Sequence, residues 1–198
     1  MTAADRDVQD AAMRLVIFGR QGAGKGTQCD RIVEKFGVVH LSTGDMFRAA
    51  RDAGTELGQK VGPIMASGGL VSDELTIAIV EERLASPDVV KSGFILDGFP
   101  RTPGQADALL KMLGDETLDA VLNLDVPIDE VTARMKERGR EDDTDEGIAK
   151  RLALYDQETV PTIEWFDERG LLVSIDGCLL YTSPSPRDAT LSRMPSSA

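Results

Sequence analysis

Basic residues are in short supply in this chain: Lys and Arg number 22 against 34 Asp and Glu, with a single His, for a formal net charge of -12. That balance excludes the footprint of a sequence-independent nucleic-acid binder, which needs a basic face. It does not exclude small anionic substrates, because a local cluster of Lys and Arg can outweigh the global charge inside a cleft. Cysteine is scarce as well. Cys29 and Cys178 give neither a metal-ligand spacing nor a disulfide framework, and fit a reducing, cytoplasmic setting. Long apolar runs are missing, so no segment reaches the length needed to span a bilayer. The opening MTAADRDVQDAA lacks the basic-then-apolar pattern of a secretory leader. What remains, 41% hydrophobic and 28% charged over 198 residues, suits one globular domain with a full core.

Residues 1–12 read as a loose polar leader. Met13 to Phe18 (MRLVIF) is a short apolar run ending at glycine, the pattern of a buried strand. A glycine-rich stretch follows, then a helical pattern from about Lys25 to Phe36. Ser42, with Asp45 three residues on, and Ser72, before DELTIAIVEERL, are placed to cap helices. Gly93 to Asp97 and Asp119 to Asp125 read as further buried strands, each followed by a helical segment (Pro103 to Leu113, Ile128 to Arg138). A long helical pattern covers about Asp145 to Arg169, and Leu171 to Ile175 forms a last strand. Strand, loop and helix in alternation mean an α/β protein with a parallel sheet.

The carboxyl end breaks this pattern. From Cys178 the chain is rich in serine, carries Pro184, Pro186 and Pro195, and has no hydrophobic period. Back-translated, Cys178 to Asp188 can be written in codons that look like a transposase-type sequencing adapter, and Ser192 to Ala198 like its outer end. The expectation is a native sequence that stops near Asp176 or Gly177, with residues 178–198 an adapter-encoded tail.

Gly19 to Thr27 spells G-x-x-x-x-G-K followed by Gly-Thr, after a strand and at the start of a helix. This is the context of a phosphate-binding loop. Glycines let the backbone curl so that N–H groups of Gly22, Ala23, Gly24, Lys25 and Gly26 point at phosphate oxygens, and the helix terminus adds partial positive charge. Lys25 reaches the β- and γ-phosphates, and the Thr27 hydroxyl lies on the Mg²⁺ side. The signal is strong for nucleoside triphosphate binding and silent about the reaction.

GRQGAGKGTQ, HLSTGDMFR, GLVSDELT, GFILDGFPRT with Gln105, and GREDD followed by KRL resemble, in order, the successive motifs of adenylate kinases. The resemblance covers nearly all of residues 13–177. It implies a three-layer α/β P-loop NTPase fold, a five-stranded parallel sheet flanked by helices. A small AMP-binding segment at about 42–71 and a short lid at about 138–144 would be inserted in it. It also implies a monomer that moves a phosphoryl group reversibly from ATP to AMP with Mg²⁺, in line and without a covalent intermediate.

Roles follow where residues match. Thr43, Arg48, Gly69, Leu70, Val71, Gly98, Arg101 and Gln105 resemble the AMP site, with Leu70 and Val71 flanking adenine and Gln105 reading its edge. Arg134 and Arg138 resemble the arginines on the ATP side, and Arg140 and Arg151 those that clamp the transferring group. Lys25, Arg101, Arg138, Arg140 and Arg151 would carry the catalysis. Asp97 would hold water on Mg²⁺ together with Thr27, and Asp142 and Asp143 would anchor the lid. Arginine suits such work because its planar fork binds phosphate bidentately and never loses its proton. In UMP/CMP kinases the acceptor motif resembles Ser-Ala-Gly, and Asn follows the Gly-Phe-Pro-Arg motif. Here Thr43, Thr102 and Gln105 favour AMP. A non-catalytic ATP binder is the alternative from another class, and the intact arginine set speaks against it.

The resemblance has departures. Gln21 stands where many relatives have proline, and relatives continue past the last strand into a helix that the adapter-encoded tail would replace. Plainer readings stand beside the sharp ones. Gln105 can complete a capping box with Thr102, with Pro103 at the first helical position. His40 reads as structural, Cys29 and Trp165 as packing residues, and Thr144 to Glu146 as a solvated helix start.

Overall fold

The computed structural model describes residues 12–67, 69–114, 117–140 and 143–178. The leader reading of residues 1–11, the adapter reading of 179–198, and Asp142 of the lid lie outside these described residues.

Strand β1 (Met13–Phe18) is flanked on both sides. It pairs in parallel with β3 (Gly93–Asp97), Val16 opposite Leu96, and with β4 (Ala120–Asp125), Val16 opposite Val121. A strand covered on both faces must be apolar where it is buried rather than alternating, which is why Leu15 to Phe18 and Phe94 to Leu96 are unbroken apolar runs, with Arg14 and Asp97 at the less buried ends. Successive side chains still point to opposite faces. Leu15 and Ile17 join one core with Cys29, Ile95 and Met135, while Val16 and Phe18 join the other with Leu96, Val121 and Phe166.

The full sheet has five parallel strands in the order β2-β3-β1-β4-β5, with β2 at Val39–Ser42 and β5 at Leu172–Asp176. Helix α1 (Lys25–Phe36) follows β1. Helices α2 (Thr43–Asp52), α3 (Glu56–Ala66), α4 (Asp73–Leu84) and α5 (Pro87–Ser92) lie between β2 and β3. After β3 come α6 (Pro103–Leu113), then β4, α7 (Ile128–Arg138), α8 (Asp145–Leu154) and α9 (Val160–Asp167). Among the described residues no helix is long and apolar enough to cross a membrane.

Three elements escape the hydrophobic pattern. Strand β2 is short and carries His40, so its period is illegible. Helix α3 includes Pro63 and two glycines, which lower its propensity. It forms because it packs on α2, where a Cβ on Gly58 would stand 2.1 Å from the Ala50 carbonyl oxygen. The long helix expected over 145–169 is broken by a π-helical turn at Tyr155–Thr159. Pro161, in the first turn of α9, has no N–H to offer the preceding turn, so a regular ladder cannot pass through it.

The caps follow chemistry. Ser42 accepts from the Asp45 N–H at 3.2 Å and Thr102 from the Gln105 N–H at 3.2 Å. Ser72 occupies the N-cap position of α4, yet its side chain makes no capping bond. The capping box at Thr102 is displaced by one residue: Gln105 Oε1 accepts from the Arg101 N–H rather than from that of Thr102.

Phe166 is 0% exposed, with its ring 5.8 Å from that of Phe18. Phe166→Ala should lower unfolding stability by about 3–5 kcal/mol in urea titrations. A cost under about 1 kcal/mol, the scale of a surface substitution, would show that α9 does not seal this core.

Candidate active site

Sheet order reverses at β1, whose neighbours β3 and β4 both come later in the chain. Open α/β sheets bind ligands at such a point, beyond the carboxyl ends of the strands. A cavity of about 380 Å³ opens there. It is lined by the loop after β1 (Gly22, Gly24), the start of α1 (Lys25, Gly26, Thr27), the end of β3 (Asp97, Gly98) and the arginines of α2, α7 and α8. A smaller cavity of about 70 Å³ adjoins it, sharing Arg48, Leu70, Gly98, Arg101 and Arg151 and adding Thr43, Gly69, Val71 and Gln105.

Thr102 and Asp143 line neither cavity; every other described residue predicted for the site lines one or the other, except Ala23. That residue is 3% exposed beneath the loop, and its N–H is bonded to the Arg20 carbonyl at 3.0 Å. Gly98 has φ 84°, and a Cβ there would stand 2.7 Å from Thr43 Oγ1. Only glycine lets β3 end this close to Thr43.

The cations answer the chain's acidity locally. Lys25, Arg48, Arg101, Arg134, Arg138, Arg140 and Arg151 share the larger cavity with two acids, Asp45 and Asp97. Lys25 Nζ donates to the Gly19 carbonyl at 2.8 Å and lies 3.9 Å from Asp97 Oδ1. Burial pushes the Lys25 ammonium below its usual range, against the pull of Asp97. Burial also pushes the Asp97 carboxyl up, but Lys25, His40 and Arg101 outweigh it and leave Asp97 below the usual carboxylate range. Arg48 pairs with Asp45, and Arg134 with Glu130 one helical turn away. Arg101 donates to the Gly98 carbonyl at 2.9 Å.

Asp143 joins the end of α7 to α8. Its carboxylate accepts from Arg138 Nε at 3.0 Å, Arg138 at 2.8 Å, the Arg140 N–H at 3.1 Å and Arg151 at 2.8 Å, and its side chain is 0% exposed.

A family model described as adenylate kinase matches residues 17–171. The chain belongs to the adenylate kinase family. It is 47% identical over 172 residues to an adenylate kinase of Stenotrophomonas maltophilia (strain K279a), covering 83% of this chain and 91% of that protein. Against an adenylate kinase of Hyphomonas neptunium the identity is 49% over 171 residues, covering 83% and 90%. Against one of Nocardia farcinica it is 49% over 167 residues, covering 83% and 91%.

In this member of the family the cavity also includes residues that sequence reasoning missed. Tyr155 and Thr159 line it from the π-helical turn. Tyr155 lies four residues after Arg151, a spacing that puts both on one helix face and could have flagged it. Burial pushes the Tyr155 hydroxyl up to about 12, and the Arg20 guanidinium stacks over its ring at 5.0 Å. His40 lines the cavity too, with Nε2 3.8 Å from Asp97 Oδ2, too long for a hydrogen bond. Cys29, His40 and Asp97 offer potential metal-ligand atoms within 4.8 Å of one another. Lys25 already serves as counter-charge to Asp97, and burial raises the Cys29 thiol to about 12, so the trio is a packing and ion-pair contact. Trp165 sits at the core's edge, its ring under Arg169 at 3.5 Å.

The Asp143 cluster has a pH signature. Burial pushes the carboxyl up, but Arg138, the Arg140 N–H and Arg151 outweigh it and hold the folded value below the ordinary one. A depressed carboxylate contributes stability that is present above the unfolded pKa and is lost as pH falls through the folded one. Asp143→Asn should therefore unfold at lower urea than the parent chain at pH 7, with the gap closing below about pH 4. A gap of equal size at pH 3 would remove the ion-pair account.

Proposed function

We infer that the chain catalyses reversible phosphoryl transfer from ATP to AMP, giving two ADP. The reading is carried by one observation: Lys25 and the cleft arginines converge on a cavity bounded by a phosphate-binding loop on one side and an acceptor-side pocket on the other. Two nucleotides bring several negative charges that repel each other. Transfer between them asks a protein chiefly for alignment and charge neutralisation. The loop from Gly22 to Thr27, with Ala23 supporting it from below, takes the donor phosphates, with Arg134 and Arg138 beside them. Thr43, Gly69, Leu70, Val71 and Gln105 take the acceptor nucleoside, and Arg48, Gly98 and Arg101 its phosphate. Arg140 and Arg151 hold the transferring group between the two. An enclosed cleft also keeps water from accepting the phosphoryl group.

Mg²⁺ belongs to the same reading. Thr27 and Asp97 line the cavity together and offer a hydroxyl and an ionised carboxylate, hard oxygen donors of the type this ion prefers. When bound, the ion supplies charge neutralisation to the phosphate oxygens. Thr27 and Asp97 would hold the ion, Asp97 with Lys25 as its standing counter-ion. A cytoplasmic monomer completes the proposal, and the free thiol of Cys29 suits a reducing compartment.

A coupled assay of ADP formation with ATP, Mg²⁺ and one of AMP, UMP or CMP tests this. Activity should be confined to AMP and vanish with a chelator. Strong turnover of UMP or CMP would overturn the acceptor assignment. Retained ATP binding without turnover would favour a non-catalytic binder. Lys25→Met should lower kcat/KM by about 100- to 1,000-fold, the scale of removing one preorganised charge-stabilising donor. A loss under threefold would exclude Lys25 from the chemistry.

A further inference from the structure

The acceptor-side cavity holds one polar side chain whose partners leave it no freedom. Gln105 is 3% exposed and lines that cavity. Its Oε1 accepts from the Arg101 N–H at 2.8 Å, and its Nε2 donates to Asp73 Oδ1 at 2.7 Å. The other carboxylate oxygen, Oδ2, accepts from the Thr102 hydroxyl at 2.8 Å, and that hydroxyl accepts from the Gln105 N–H at 3.2 Å. The two ends of an amide have nearly the same shape, so its neighbours decide which way round it sits. These neighbours are unambiguous: a backbone N–H only donates, and a carboxylate only accepts. Turning the amide over would replace both bonds with two repulsive contacts at a buried position.

We propose that Asp73, braced by Thr102, is a positioning residue that fixes the amide polarity of Gln105 and thereby makes the acceptor site select 6-amino over 6-oxo purine nucleotides. The proposal rests on the reading that Gln105 faces the acceptor base. After its two fixed bonds the amide retains one N–H and one carbonyl lone pair. A 6-aminopurine edge offers a ring-nitrogen acceptor beside an amino donor, a match at both points. A 6-oxopurine edge offers a ring N–H beside a carbonyl, opposed at both. An unconstrained glutamine would serve either base by turning over; a locked one serves only the first. Asp73 lines neither cavity, so its influence on the base passes through Gln105.

Asp73 also lies in the first turn of α4, where any acid favours the helix terminus. Glu74, exposed in the same turn, shares that role without touching Gln105 and provides the control.

The test is the ratio of kcat/KM for AMP to that for inosine monophosphate, measured for the parent chain, Asp73→Asn, Glu74→Gln and Gln105→Leu. Equilibrium binding of both nucleotides serves as a readout independent of turnover. Asn at position 73 can donate as well as accept, which removes one of the amide's two constraints and leaves only the Arg101 N–H to set its polarity. Asp73→Asn should therefore cut the AMP preference about tenfold, roughly the worth of one hydrogen bond exchanged for its opposite. The change should arise from a higher KM for AMP and a lower one for inosine monophosphate, with KM for ATP unchanged. Glu74→Gln should leave the ratio in place. An unchanged ratio in Asp73→Asn, or an equal shift in Glu74→Gln, overturns the proposal. If Gln105→Leu collapses the ratio while Asp73→Asn does not, only the lock fails. If Gln105→Leu leaves the ratio intact, the reading of Gln105 as base-facing fails, and the lock with it.

Discussion

Lys25 and the arginines of the cleft repel one another, and a small set of carboxylates makes their proximity tolerable. Two like charges 4 Å apart cost roughly 4 kcal/mol at the effective dielectric of a protein near its surface. Most of these cations are therefore given an anion close by, on the same helix or on a neighbouring element. Asp97 at the end of β3 serves Lys25, and Asp45 serves Arg48 three residues away. Glu130 serves Arg134 across one turn of α7, and Asp143 serves Arg138 and Arg151. These acids occupy the cations much as phosphate oxygens would. The cleft is thus held together without nucleotide and remains able to exchange its partners for one.

That arrangement requires the sheet to end in the right place. Because β1 is central and its neighbours are later strands, the loop carrying Lys25 and the loop carrying Asp97 and Gly98 open side by side. The acid-rich exterior and the basic interior are then compatible: the net charge of -12 belongs to the whole chain, the positive charge to one concavity.

Much of this was legible from the residues. The buried strands around Leu15–Phe18 and Phe94–Leu96 announce themselves because burial on both faces demands uninterrupted apolar side chains. The phosphate-binding loop is legible because its glycines and lysine are local in sequence. Strand β2 is not, since four residues with a histidine carry no period. Helix α3 is hidden because packing on α2, rather than propensity, decides it. Asp73 escaped attention for a different reason: an acid before a helical run looks like an ordinary helix start, and its bond to Gln105 spans 32 positions. Thr159 stayed hidden because the turn that aims it departs from the helical period, whereas Tyr155 keeps helical step with Arg151 and was open to being read.

That turn, Tyr155–Thr159, has a geometric consequence for the two ends of the chain's last helical stretch. In a regular helix each residue advances the azimuth by about 100°. The wider turn absorbs an extra residue, so α8 and α9 are phased independently: Arg151 and Tyr155 face the cleft while Phe166 faces the sheet. A regular α-helix over these same residues would keep every side chain's chemistry and swing one end past its target by about a quarter of a revolution. The wide turn therefore works as a phase adjuster between the part of the chain that grips ligand and the part that seals the core.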